Sequence, residues 1–143
     1  MIETKSLKFS YDGKFVFEFP NIKLKDGENL LILGNSGIGK STLLHNLAGI
    51  LTPQSGSIKI FGNDISKFSE IEIDKFRGEN IGIIFQQFNL LPYANVVDNV
   101  LLPLYFSQAR SKNIVNKRAA ALELFKQLRL PDDIAQYRAS NLS

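Results

Sequence analysis

The stretch from Gly34 to Thr42 constrains this chain more than any other. Gly34-Asn35-Ser36-Gly37-Ile38-Gly39-Lys40-Ser41 carries Gly, four free positions, Gly, Lys and Ser in fixed order. The glycines let the backbone curl until successive N–H groups of Asn35, Ser36, Gly37, Ile38 and Gly39 face one anion. A helix opening near Gly39 adds unpaired N–H groups and its positive dipole end. Lys40 puts a point charge on the β and γ phosphates. The Ser41 hydroxyl is sized to ligate Mg²⁺, and Thr42 can reach the α phosphate. The loop therefore reads as the phosphate cradle of a nucleoside triphosphate, ATP in the first instance, with Mg²⁺ as its companion. The four fixed positions would coincide by chance in a chain of this size less than about once in a hundred. The competing reading is a glycine-rich turn with an exposed lysine.

The flanks agree with the cradle. Leu30-Leu31-Ile32-Leu33 is an apolar run without alternation, the pattern of a strand buried on both faces, and it leads into Gly34. Leu43, Leu44, Leu47 and Ile50 then recur at helical spacing, and Gly49 and Pro53 bracket the end. Upstream, Ile2 to Phe9 predicts a strand, Tyr11-Asp12-Gly13 a turn, and Phe15, Phe17 and Phe19 a second strand stopped by Pro20. Ser57 to Phe61 and Ile81 to Phe85 read as further strands, and Ser66 to Phe76 as a helix. After residue 88 the texture turns helical. Asn95 with Asp98 forms a capping box, and Pro103 interrupts the segment. Ser111 to Leu128 predicts a helix with Ile114, Val115, Leu122, Phe125 and Leu128 on its apolar side. Pro131 with Asp132 and Asp133 opens a last short helix. Two subdomains are expected, 1–87 holding the nucleotide core and 88–143 mostly helical.

Composition narrows the class. At 143 residues and 44% hydrophobic content the chain can bury one core, and it has no cysteine for disulfides or thiolate metal sites. No apolar run approaches the roughly 20 residues of a membrane span, and the first residues lack the apolar core of a secretory signal. The net charge of +3 is local: residues 1–100 hold 10 Lys/Arg against 11 Asp/Glu, and residues 101–143 hold 7 against 3. Such an excess can attract nucleic acid or anionic lipid. Arg110, Lys112, Lys117, Arg118 and Lys126 are read instead as the solvated face of a helix, with no nucleic-acid partner.

Four segments together carry a family resemblance. They are Gly34 to Leu44, Leu47 to Ile58, Ile81-Gly-Ile-Ile-Phe-Gln-Gln-Phe-Asn-Leu-Leu-Pro92, and Asp98-Asn-Val-Leu-Leu-Pro-Leu104. Across essentially its whole length the chain resembles the ATP-binding subunit of ABC transporters, in the branch of lipoprotein-releasing and macrolide-exporting ATPases. The resemblance implies an α/β P-loop NTPase core, with a mixed sheet and an N-terminal antiparallel β part, plus a helical subdomain. It implies Tyr11 as the aromatic stacked on adenine, with a hairpin aromatic packed on Phe15 or Phe17 as the alternative. It implies Gln86 as the group that reaches Mg²⁺ and the attacking water, with Gln87 as its neighbouring competitor. A neutral amide can orient water without adding charge. Phe88 to Tyr93 would receive a membrane permease subunit, or else be ordinary core. Two ATPase subunits would pair as a homodimer at the cytoplasmic side of the membrane, as peripheral proteins. Ala94-Asn95-Val96 departs from the commoner Leu-Thr-Val. His45, the sole histidine, lies on the helix after the loop and does not match the family's switch histidine.

Leu142-Ser143 matches the opening of the signature Leu-Ser-Gly-Gly-Gln, which makes Ser143 a candidate contact to the γ phosphate of the opposite subunit. No segment here matches the family's acidic strand, catalytic glutamate or switch histidine. The expectation is an ABC-type ATPase by family, with catalytic roles for Lys40 and Gln86. The 143 residues themselves are expected to hold Mg·ATP without family-rate turnover, as a fragment with an incomplete sheet. Two other functions compete: a non-hydrolysing nucleotide-binding module, and a soluble ABC ATPase of DNA repair. The latter is disfavoured by the short helical stretch and the lack of cysteine.

Overall fold

A computed structural model describes residues 1–142. Its contacts divide the chain into two compact units, Met1–Arg77 and Gly78–Ser143. The candidate contact at Ser143 lies outside the described residues.

The first unit is built on β1 (Ile2–Phe9), which pairs antiparallel with β2 (Phe17–Glu18), β3 (Lys23–Leu24) and β4 (Ser55–Ile60). A short β5 (Asn63–Asp64) turns back on β4 through Gly62. Every pairing among the described residues is antiparallel. Period-two alternation puts Leu7, Phe9, Ile58 and Ile60 inside, and Ile58 is fully buried. Thr4 is buried as well. Its hydroxyl accepts the Ile22 N–H at 2.9 Å, while its own N–H donates to the Ile22 carbonyl, so the segment before β3 is clamped to the sheet. The ladder slips between Lys5 and Lys8. There Ser6 is left-handed, and Gly56 opposite has no space for a Cβ, which would lie 2.5 Å from the Lys5 and Ser6 carbonyl oxygens. Helix α1 (Lys40–Leu47) follows the glycine loop, and α2 (Glu70–Asn80) is preceded by a 3-10 turn at Ile65–Lys67.

Two expected strands do not form. Leu30 to Leu33 and Ile81 to Phe85 have no ladder partner, and Leu31, Leu33 and Ile84 are exposed. An apolar run becomes a buried strand only where other strands flank it, and no described strand lies beside either segment. The expected helix from Ser66 divides because Ser69 is a better start: its hydroxyl and N–H both bond the Glu72 carboxylate.

In the second unit α3 (Val96–Phe106) packs on α5 (Lys117–Gln127), with Val97, Leu101, Ala121, Phe125 and Ile134 as the core. The cap at Asn95 is as expected: its side-chain oxygen accepts the Asp98 N–H at 2.7 Å. The Asp98 carboxylate returns to the Asn95 side-chain amide rather than to its backbone. Pro103 does not interrupt the helix, because core contacts from Val97 and Leu101 to α5 hold it while Pro103 faces solvent. The expected helix Ser111–Leu128 begins later, as α5 opened by Asn116, whose side chain accepts the Ala119 N–H, while Ser111 ends a separate short helix, α4 (Gln108–Ser111). Val115 consequently lies outside the helix and fully exposed, and Leu128 is exposed beyond its end. After Pro131 two 3-10 turns, Ile134–Gln136 and Ala139–Asn141, form in place of the expected short helix.

Asn95→Ala should destabilise the second unit by about 1 kcal/mol in urea unfolding, and Asn95→Ser should recover most of that loss.

Candidate functional site

The glycine loop Gly34 to Ile38 is exposed and leads into α1. Gly37 has φ 81° and Gly39 has φ 97°, both left-handed. Gly39 is the N-cap of α1, and no side chain caps the helix there. The first turn holds no acidic residue. Its N–H groups and the positive dipole end are thus left for an outside anion. Lys40 folds back over the loop, its amine donating to the carbonyls of Gly34 and Asn35 at 2.7 Å each. That holds the cation against the start of the loop, at Gly34 and Asn35. The Ser41 hydroxyl is exposed on the first turn, where an oxygen donor suits a hard cation such as Mg²⁺. This donor set fits a polyphosphate with its metal.

Tyr11 meets the loop from the β1–β2 connection. Its hydroxyl lies 3.1 Å from Thr42 Oγ1, and Thr42 is buried. In this geometry the Thr42 hydroxyl is engaged with Tyr11. The Tyr11 ring meets Phe9 edge-on at 4.8 Å and Phe17 at 6.3 Å, yet remains 65% exposed. Both readings of Tyr11 have a counterpart here: it packs on the hairpin aromatics and still presents ring surface. The turn that carries it is stapled by Asp12, whose carboxylate accepts the N–H groups of Lys14 and Phe15. Those backbone bonds, led by the one from Lys14, hold the Asp12 carboxyl below its ordinary value.

Beneath the loop, Asn46 is buried on α1 and donates to the Thr42 carbonyl at 2.8 Å. Its own carbonyl oxygen has no partner among the described residues. His45 sits on the same helix, half-buried.

In the second unit Gln86 and Gln87 both lie in an exposed bend, so exposure does not choose between them. Phe88 and Tyr93 are 86% and 75% exposed, and Leu90 is exposed too. This segment is surface rather than core. A residue missed in the sequence organises it. Asn99 accepts the Leu91 N–H at 2.7 Å and donates to the Leu91 carbonyl at 3.1 Å and the Asn95 carbonyl at 3.0 Å. The available signal was an amide beside Asp98, between the apolar pairs Val96-Val97 and Val100-Leu101.

Comparison with known proteins gives the family and the fold. The sequence model described as ABC transporter matches residues 18–143, and the chain belongs to that family. It is 33% identical over 140 residues to the ABC transporter ATP-binding protein MJ0796 of Methanocaldococcus jannaschii, covering 98% of this chain and 60% of that protein. It is 32% identical over 143 residues to the lipoprotein-releasing system ATP-binding protein LolD of Bacteroides thetaiotaomicron, covering all of this chain and 64% of that protein. Its fold superposes on the dimeric post-hydrolysis structure of MJ0796 bound to ADP and Pi with a TM-score of 0.87 and 32% identity, over all of this chain and 63% of that one. The chain thus spans less than two thirds of the length of these relatives. The architecture is the α/β P-loop NTPase fold of ABC cassettes, with the sheet not closed.

Gly37→Ala and Gly39→Ala both place a side chain at positive φ, a cost of about 1–2 kcal/mol. At Gly37 nothing lies within 4 Å of the new Cβ, whereas at Gly39 it would meet Phe17 Cδ1 at 2.6 Å. Chemical denaturation should therefore show Gly39→Ala as clearly the more destabilising. The Asp12 carboxyl, followed by NMR, should titrate below 3.8. Because its folded value is depressed, its contribution to the turn is complete above the ordinary value and is lost as pH falls through the lowered one.

Proposed function

We propose that this chain is the ATP-binding part of an ABC transporter's ATPase subunit, binding Mg·ATP at Gly34 to Thr42. The observation that carries this is the uncapped N-terminus of α1, joined to left-handed glycines and to the Lys40 amine held against the start of the loop. Asn35 to Gly39 supply backbone N–H groups, Lys40 the charge, Ser41 the metal ligand, and Tyr11 an exposed ring surface for adenine. Mg²⁺, when bound, neutralises the phosphates and orders them for transfer. Gln86 is the residue assigned to the metal and the attacking water in the assembled site.

The exposed Phe88 to Tyr93 segment, tied down by Asn99, is the surface proposed for a permease subunit. The dimeric relative supports pairing of two copies across their nucleotides. Among the described residues no helix is long and apolar enough to cross a membrane. Peripheral attachment through the permease, on the cytoplasmic face, follows from the proposed role. Relatives named for lipoprotein release, for macrolide and bacitracin export and for methionine import support a transporter ATPase subunit of either direction, with ATP hydrolysis driving movement through the permease.

Lys40→Ala should weaken binding of a fluorescent ATP analogue about tenfold to a hundredfold, the worth of a charge-assisted contact to phosphate. Ser41→Ala should leave metal-free binding unchanged and abolish its strengthening by Mg²⁺. Unchanged affinity in Lys40→Ala would exclude the loop as the phosphate site.

A further inference from the structure

The junction between α3 and α5 carries a second surface of a different character. From Asn99 to Leu122 the chain has four cations, Arg110, Lys112, Lys117 and Arg118, and no acidic residue. None of the four is ion-paired with a carboxylate among the described residues. A solvated charged face needs no apolar side chains, yet this one displays them. Tyr105 is 66% exposed, Phe106 78% exposed, and Val115 fully exposed. The tip closes on itself: Lys117 Nζ stands 4.8 Å from the centre of the Tyr105 ring, so the start of α5 is held against the end of α3. Ser107 is buried and caps α4 through the Arg110 N–H, and the Arg110 guanidinium donates to the Ile81 carbonyl at 2.9 Å. Exposed apolar groups are thus held in place among cations that no carboxylate among the described residues neutralises.

We propose that this tip, Tyr105 to Arg118, docks directly on an anionic phospholipid surface. Phosphate headgroups complement these cations. Each Lys or Arg near such a surface adds roughly a fivefold gain in binding. Phe106 and Val115 enter the headgroup boundary, and Tyr105 sits at the level where an amphipathic ring is most favourable. Nucleic acid would satisfy the cations alike, but it offers nothing to an exposed valine at the same tip. The inference goes beyond the proposed function, which brings the chain to a membrane through a protein partner. Here the chain meets lipid itself.

The test is co-sedimentation of the full chain with vesicles of phosphatidylcholine alone and with vesicles containing about 30% phosphatidylglycerol, with no permease present. Binding is expected only to the anionic vesicles, and it should fall away in about 0.5 M NaCl, where the screening length drops to a few ångströms. Lys112→Gln with Arg118→Gln should weaken binding about 30-fold. Phe106→Ser with Val115→Ser should weaken it about tenfold or more. Far-UV circular dichroism and ATP-analogue affinity, measured on the same variants, separate loss of this surface from loss of fold or of the nucleotide site. Equal binding to both vesicles, absence of binding, an apolar variant that binds like the parent, or a stronger preference for oligonucleotides over vesicles would each overturn the proposal.

Discussion

The Phe17 ring leaves no room for a side chain on Gly39, and that close approach sites the glycine loop. Phe17 is not free to give way. It is paired with Phe9 across β1 and β2, stacked on Phe19 with rings nearly parallel at 6.1 Å, and met edge-on by Phe15 and Tyr11. The strand register therefore decides where α1 begins, and α1 decides where its unpaired N–H groups point. The Tyr11 hydroxyl adds a second tie, to Thr42 within the first turn of the helix. The loop inherits its position from an antiparallel hairpin rather than from an apolar strand running into it.

This explains which parts of the fold the sequence showed and which it hid. The loop was legible because its chemistry is local: left-handed backbone at Gly37 and Gly39, a cation at Lys40 and a hydroxyl at Ser41 are set by neighbouring residues alone. The Asn95 cap was legible for the same reason. Leu30 to Leu33 and Ile81 to Phe85 were misread because a strand is a relation between segments, and an apolar run says nothing about what lies beside it. The late start at Asn116 was hidden because Ile114 and Val115 continue the apolar helical spacing upstream, although both are weaker helix formers than the Ala, Leu and Lys that follow. Asn99 escaped notice because its value lies in bonds to Leu91, eight residues upstream, which no periodicity marks.

The second unit spends its polar groups on shaping surface. Asn99 fixes the backbone under Phe88 to Tyr93, and Ser107 fixes the junction beneath Phe106. Both are amide or hydroxyl side chains bonded to backbone, which orders a segment without requiring it to be buried. Large apolar residues can then remain exposed in defined positions. That is the condition under which exposed apolar surface recognises a partner instead of adhering indiscriminately.

The Lys40 amine also has a kinetic bearing. Held between the Gly34 and Asn35 carbonyls, it is already satisfied by its own loop. An incoming anion must win it away from two acceptors at once. A lone inorganic anion has little to offer in exchange, whereas a chain of phosphates that also fills the ring of amides replaces both contacts together. On the proposed reading of the loop as a phosphate site, these two contacts favour a polyphosphate over a small competing anion.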